Sequence, residues 1–583
     1  MTDFYNQNSL LLNQLAISAL LALSVYITLS AAMLSLANAA FMGLGAYSSA
    51  LCSQHFGWQL LPALLLGGLV AAVVALPLGA PVLRLRGVFL AIATIGFGEV
   101  LRVVVTNAAI PAFGYKIGNI DQAYPGGAEG LRLSQPPLTN GWYSYGALLA
   151  LIYFFWRLRG SRMGRALAAI REDETAAESI GVDVRRYKLI AFVLSAFIAG
   201  WAGGLSAHLY AFINPNDFGF SRAVDILTYA VVGGTFSFVG PILGALLITS
   251  LPELLRFLQE YRQVFSGAVL LLVILFLPGG LFGLFSKVVR GKRTLLVGIP
   301  PAFSPPGLVS EAGGTAGGDE PASLRPPEPL AEPLLQISHL SRRFGGVIAV
   351  DDVSLTVARG DVFGLIGPNG AGKTTLVNLI SGVLAPSGGQ ISFKGQVING
   401  LPPHRLSTLG LARTYQNIRL FPTLSVLDNV LVGLHGRTRS SLLARLFFSR
   451  RVRAEEQHNS LRAMELLYRF GLHTYAYEPA ASLSYGDQRR LEMARALATG
   501  PTMLLLDEPA AGLNNAETAT LRELLRQFAA EGITILLIEH DMPLVMGVCD
   551  EVAVLNFGRK LAEDTPARIS SDPQVIEAYL GSE

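Results

Sequence analysis

Charge is what this 583-residue sequence has least of. Asp, Glu, Lys and Arg make up 15% of it, against roughly a quarter in ordinary soluble domains. From Phe4 to Leu83 there is none, which excludes a solvated globular surface over that stretch. Cysteine is also scarce. Cys52 and Cys549 lie in different halves, which excludes a disulfide framework and a cysteine-rich metal cluster. The net charge of +3 offers no electrostatic footprint for nucleic acid, so no nucleic-acid partner is expected. The first apolar run has no basic stretch ahead of it and is too long for a signal core, so it is expected to be a retained membrane helix. The length exceeds one compact core and implies two or more domains.

What the sequence does have is apolar runs long enough to cross a ~30 Å hydrocarbon layer, which takes about 20 helical residues. They are expected at Leu10–Leu34, Ser35–Leu51, Leu60–Val82, Val88–Asn107, Tyr143–Trp156, Leu189–Ile213, Ile226–Leu251 and Phe265–Phe285. The seventh is interrupted by "GGTFSFVGP", where Gly233, Gly234, Gly240 and Pro241 serve either a helix break or close helix contact. Basic residues cluster at Arg84–Arg86, at Arg157–Lys188 and at Lys287–Arg293. By the positive-inside rule these face the cytoplasm, and the segment Ala108–Gly141 is external. Residues 294–333 are rich in Pro, Gly, Ala and Ser without apolar period, and read as a linker. The expected organisation is therefore a membrane domain over 1–293, the linker, and a soluble α/β domain over 334–583.

The soluble half carries the chemistry. "GPNGAGKTT" follows the apolar strand "DVFGLIG". Its Gly367, Gly370 and Gly372 allow a tight loop with inward N–H groups around Asn369 and Ala371. Lys373 places a cation at the β/γ-phosphates, and the Thr374 hydroxyl, beside Thr375, can ligate Mg²⁺. "MLLLDEP" puts Asp507 at a strand end as a second Mg²⁺ ligand, and Glu508 next to it can polarise a water. "LSYGDQRRLEMARAL" sets Ser484 and Gly486 at the start of a long helix, suited to an anion.

In that order, "GPNGAGKTT", "LSYGDQ", "LLLDEP" and "EHD" resemble the nucleotide-binding domain of ABC transporters. "LSYGDQ" departs from the commonest form at Tyr485 and Asp487, a departure that resembles the ATPase subunits of branched-chain amino acid importers, as do "PAAGLNNAE" and "DPQVIEAYLG". The resemblance implies ATP and Mg²⁺ as cofactors. It implies that Phe344 stacks on adenine, that Gln416 links Mg²⁺ and the attacking water to the membrane domain, that Glu508 is the general base, and that His540 contacts the γ-phosphate. It also implies a nucleotide sandwich in which Ser484 acts on ATP held by a partner.

The membrane half resembles the permeases of the same importers through "RLRGVFLAIATIGFGEVLRV", "GGAEGL", "GPILGALL" and "GRALAAIREDETAAESIGVDVRRYKL", with Pro125 where relatives often have Thr. The last stretch, dense in charge, is expected to form two short helices, the second capped by Thr175 with Glu178, and to dock on an ATPase near Gln416. Glu99, inside a span, is expected to pair with Arg102 three residues on, as a structural or interfacial pair. The fold expected is multi-domain, an all-α polytopic permease followed by an α/β P-loop ABC domain. The function expected is ATP-driven uptake of branched-chain or other apolar amino acids across the bacterial inner membrane. The resemblance implies, besides surrounding lipid, a second permease subunit, a second ABC ATPase subunit and a periplasmic solute-binding protein as partners. Urea or short amides are the alternative cargo, and a half-size exporter is the rival class.

Overall fold

The computed structural model describes residues 2–107, 130–133, 141–254, 261–277, 279–284, 333–437 and 450–580. The expected linker, save Pro333, and most of the segment 108–141 lie outside the described residues.

The membrane half is helical: α1 (Thr2–Leu29), α2 (Asn38–Phe56), α3 (Leu60–Val82), α4 (Val88–Asn107), α5 (Gly141–Arg159), α6 (Arg162–Glu172), α7 (Glu174–Ser179), α8 (Val184–Tyr210), α9 (Phe220–Gly233), α10 (Val239–Leu254) and α11 (Arg262–Phe276). A two-stranded ribbon joins β1 (Leu131–Arg132) to β2 (Phe212–Ile213). Among the described residues, four helices are long and apolar enough to span a membrane, within α1, α3, α4 and α8.

Several runs differ from the sequence reading at their ends: α1 stops at Leu29 and not Leu34, and α2 runs from Asn38 to Phe56 and not Ser35 to Leu51. Two of the differences have a local cause. The run expected at Leu189–Ile213 begins five residues earlier, because Asp183 caps α8 by accepting from Arg186 N. The run at Ile226–Leu251 is two helices, α9 and α10, broken at Gly234 with φ +95. The break and the close contact coexist: a Cβ at Gly233 would collide with the Gly240 backbone, and one at Gly244 with Tyr229 O.

Helix α8 is the centre of the bundle. A side chain on Gly203 would strike Met42 O of α2, one on Gly200 would strike Gly67 O and Ala71 of α3, and one on Gly45 of α2 would strike Gly200 O, so α8 packs backbone to backbone against both helices. Polar side chains add ties that lipid cannot replace. Asn38 Nδ2 donates to Ser24 Oγ and Ser195 Oγ, both at 2.8 Å, joining α1, α2 and α8. Such bonds contribute about 0.6 kcal/mol each.

In the soluble half, β3 (Pro333–Phe344), β4 (Val347–Ala358), β6 (Gly388–Phe393) and β7 (Gln396–Val397) form an antiparallel sheet. A second, six-stranded sheet has the order β12-β11-β5-β10-β9-β8. Its strands are β5 (Val362–Ile366), β8 (Leu411–Arg413), β9 (Met503–Asp507), β10 (Thr534–Ile538), β11 (Glu551–Asn556) and β12 (Arg559–Asp564). Strands β5, β9 and β10 are buried along their whole length, as apolar runs in a parallel sheet must be. Helices α12 (Lys373–Ile380), α13 (Pro403–Leu409), α14 (Val426–Gly433), α15 (Arg450–Arg469), α16 (Tyr485–Ala498) and α17 (Asn515–Ala530) pack around them. Because β5, β10 and β9 are parallel neighbours, their C-terminal ends converge. Ligands bind outside that edge in open α/β sheets.

Candidate functional site

The loop after β5 runs into α12. Gly367 adopts φ +149 and Gly372 φ +99. A side chain on Gly367 would strike Leu555 O, and one on Gly372 would strike Ala349 O. Only glycine fits either position, and the loop is drawn tight over the strand ends. Lys373 Nζ donates back to Gly367 O at 2.6 Å and Pro368 O at 3.0 Å. The lysine is buried, and burial holds its pKa below the ordinary value while Glu508 and Asp507 oppose that shift. A polyanion in the loop fits such a cation, replacing carbonyl dipoles with full charges.

Asp507 closes β9 and pairs with Ile538 of β10 in register. It is 2% exposed, and burial pushes its carboxyl up, opposed by Arg413. Arg413 Nη2 reaches it at 3.1 Å and Arg413 Nη1 is fixed by Asn378 and Ser381. Thr374 is exposed on the first turn of α12. One buried carboxylate and one hydroxyl suit Mg²⁺, which binds through a few protein oxygens together with phosphates.

Glu508 has φ +49, a left-handed backbone that a non-glycine residue adopts at a cost of about 1 kcal/mol or more. The turn is held by its own N–H donating to Ile538 O at 2.8 Å. It aims the carboxylate between two donors: Gln416 Nε2 reaches Oε2 at 3.0 Å, and His540 Nε2 lies 2.9 Å from Oε1. Side chains from two other loops thus meet at the Glu508 carboxylate. Phe344 and Ser484 stand apart from this cluster. Phe344 ends β3, half exposed under the Arg342 guanidinium, which sits 4.7 Å above its ring. Ser484 caps α16 by accepting from Asp487 N at 3.2 Å, and it donates to Asp487 Oδ2 at 2.7 Å. Gly486, on the first turn, passes close to Glu517.

Sequence reasoning missed the buried charges behind this front. Glu539 is 3% exposed. Its Oε1 accepts from Ala510 N at 2.7 Å and its Oε2 from His540 N at 3.0 Å. One carboxylate therefore fixes the segments on both sides of Glu508. Burial raises its pKa, opposed by these backbone donors. Arg489 of α16 donates to Tyr415 O at 2.9 Å and Gln416 O at 2.5 Å, and Glu492 accepts from Tyr415 N and Arg419 N. The motif "LSYGDQRRLEMARAL" carried these residues, but nothing in its spacing shows that the helix turns Arg489 and Glu492 inward.

The loop held by α16 meets the membrane half. Tyr415 OH bonds Ser179 Oγ of α7 and, at 3.5 Å, Thr175 O. Burial raises the Tyr415 phenol, opposed first by that Ser179 bond. Arg419 Nη1 pairs with Asp173 at 2.8 Å and Thr423 Oγ1 donates to Glu172. On the flank Arg162 Nε donates to His435 Nδ1 at 3.0 Å, Tyr187 OH lies 3.1 Å from His435 Nε2, and Arg165 pairs with Glu456. Phe421 and Val432 continue the apolar core of the membrane half. The charged stretch forms two short helices as expected, but the cap of α7 is Asp173, which accepts from Ala176 N at 2.9 Å, and not Thr175. Asp173 is the extended residue between the two helices, with φ −154, so it alone has cap geometry.

Known families match both halves. The signature described as branched-chain amino acid transport system / permease component covers residues 9–274. That of ABC transporters covers 350–511, and that of the branched-chain amino acid ATP-binding cassette transporter covers 559–583. The high-affinity branched-chain amino acid transport ATP-binding protein BraF of Pseudomonas aeruginosa is 45% identical over 43% of this chain and 99% of its own length. LivG of Escherichia coli K12 gives the same figures. The lipopolysaccharide export ATP-binding protein LptB of Acidithiobacillus ferridurans is 36% identical over 43% of this chain and 98% of its own. A crystal structure of a nucleotide-free ATP-binding cassette from an ABC transporter aligns at TM-score 0.38 and 32% identity, over 43% of this chain and all of its own. With a permease half and an ATPase half in one polypeptide, the chain belongs to the branched-chain amino acid ABC transporter family.

Proposed function

We propose that the chain is one protomer of an importer that spends ATP to carry branched-chain or other apolar amino acids across the bacterial inner membrane, with the ATPase half in the cytoplasm. The observation that carries this reading is the joint between the halves: α7 of the permease is hydrogen-bonded to Tyr415, the neighbour of Gln416, which itself touches Glu508. The Glu508 carboxylate and a short helix of the permease half are thus bridged by two adjacent residues, Tyr415 and Gln416. The assembly needs a second permease, a second ATPase and an external solute-binding protein.

Bound ATP supplies the anhydride bond, and Mg²⁺ at this site would supply positive charge to the phosphates. The chain's own residues do the rest. The glycine loop and Lys373, with Thr374, Thr375, Asn369 and Ala371, grip the phosphates, and Phe344 offers its ring to the base. Asp507, Thr374 and Gln416 would hold the metal. Glu508 accepts a proton from water, and Gln416 and His540 keep its two oxygens in place. Ser484 and Gly486 complete the site of a partner ATPase.

Uptake of labelled leucine, isoleucine, valine and urea into inverted and right-side-out vesicles, with and without the solute-binding protein, tests the reading. Binding-protein-dependent accumulation of the three amino acids is expected. Preferential uptake of urea moves the cargo to short amides, and extrusion without a binding protein overturns the importer.

A further inference from the structure

Helix α4 is the least covered of the long spans. Its apolar window is 17% buried, against 61% for α8. Yet Glu99 and Arg102 stand on it, with Arg102 Nε donating to Glu99 Oε2 at 2.8 Å and side chains still 39% and 32% exposed. Glu99 lies about 16 Å along the helix from Val88 at ~1.5 Å per residue, roughly midway through a ~30 Å hydrocarbon layer. A half-exposed ion pair at that depth is too costly to face lipid. It faces protein or a water-filled path.

A second observation lies opposite. After α8 the helix gives way to the two-residue strand β2 and a 3-10 turn at Pro215–Phe218, and restarts as α9, only 14 residues long. The α9 start lies at the level of Glu99, since Phe220 N donates to Glu99 Oε1 at 3.3 Å. Asn216 Oδ1, in that turn, accepts from Arg102 Nη1 at 3.2 Å. A helix interrupted at membrane depth is tolerated where the break is buried or lines a cavity, and a half-helix N-terminus there favours an anionic group. Exposed Val100, Val103 and Phe220 border the pair. One turn below it, a side chain added at Gly96 would meet nothing within 4 Å.

We propose that Glu99, Arg102 and the start of α9 form a site on the transport path that recognises the zwitterion of an α-amino acid. The substrate ammonium lies on the Glu99 carboxylate. Its carboxylate lies on Arg102 and the first turn of α9. An α-amino acid carries both charges on one carbon, so a contiguous anion–cation pair matches it, and the flanking valines and Phe220 take an apolar side chain. A neutral amide needs neither charge. The inference rests on the amino-acid reading of the cargo.

The test uses the full chain, with the subunits that copurify with it, in nanodiscs without the solute-binding protein. Labelled leucine is bound at equilibrium and competed with 4-methylpentanoate, which lacks the ammonium, and with isopentylamine, which lacks the carboxylate. Wild type is expected to prefer leucine to either. Glu99→Gln should narrow the preference over 4-methylpentanoate at least tenfold, and Arg102→Gln the preference over isopentylamine. The swapped Glu99→Arg/Arg102→Glu double variant should stay defective, because the pair now opposes the polarity of α9. Where a charge-removing variant fails to assemble, Glu99→Asp and Arg102→Lys keep both charges with shorter reach and should weaken leucine binding at least threefold. Unchanged preferences, full recovery in the swap, or wild-type binding in the conservative variants overturn the site. Wild type that neither binds nor transports any amino acid overturns the cargo reading instead.

Discussion

Replacing Glu539 by Gln removes one charge and one acceptor while preserving shape. In the folded protein both oxygens are in use, one on Ala510 N and one on His540 N. The amide keeps one oxygen and turns an NH₂ toward the other backbone donor. The loss is one charge-assisted hydrogen bond, about 1.5–3 kcal/mol, with a buried N–H left unmet at about 1–3 kcal/mol. Part is recovered, because burial disfavours the charged carboxyl in the first place. A net of about 2 kcal/mol remains, felt where it misaligns the two segments flanking Glu508, and this corresponds to a roughly 30-fold fall in turnover. Hydrogen exchange at the Ala510 and His540 amides should accelerate by a similar factor, and steady-state ATP hydrolysis by the full chain should lose kcat more than KM. Turnover within twofold of wild type with unchanged exchange at both amides would refute the reasoning.

Glu508→Gln retains an oxygen and an amide for Gln416 and His540, so ATP should still bind while hydrolysis falls by about 10²–10⁴, read by filter binding beside phosphate release; hydrolysis at the wild-type rate sinks the assignment. Reversing Glu172 and Asp173 to Arg sets like charges against Arg419. Leucine uptake in vesicles should drop at least tenfold with ATP hydrolysis persisting, and unchanged uptake removes α6 and α7 from coupling. Lys373 has a folded pKa held below 10.5, so the unfolded chain binds that proton more tightly. Without nucleotide, its contribution to stability rises with pH through the window up to 10.5. Thermal melts of Lys373→Met should lack that rise and lack the ATP-induced shift; parallel pH profiles in the two proteins contradict the assignment.

Much of the ATPase half could be read from local pattern. Gly367 to Thr374 follows an apolar strand, and the fully buried β5, β9 and β10 are short apolar runs because parallel strands are covered on both faces. The meeting of Gln416, Glu508 and His540 came only through resemblance, since 92 residues separate the first two. Glu539 was not read at all. A carboxylate between two loops is defined by their approach, which no spacing records. In the membrane half, the three-residue interval gave the Glu99–Arg102 contact, but its exposure depends on how little α4 is covered. The cap of α7 was misplaced because Thr175-x-x-Glu178 fits a pattern that Asp173 satisfies first by geometry.

The contacts of α6 and α7 with Tyr415, Arg419, Thr423 and His435 join two parts of one polypeptide. Their association is therefore unimolecular, with an effective concentration on the order of millimolar. Separate subunits must meet at cellular concentration and hold each other tightly enough to stay assembled. Here the joint can be individually weak, let go and re-form within each turnover, and still find the same partner. Tethering also fixes stoichiometry, since each copy of this permease brings its own ATPase and a free ATPase must compete against a local excess.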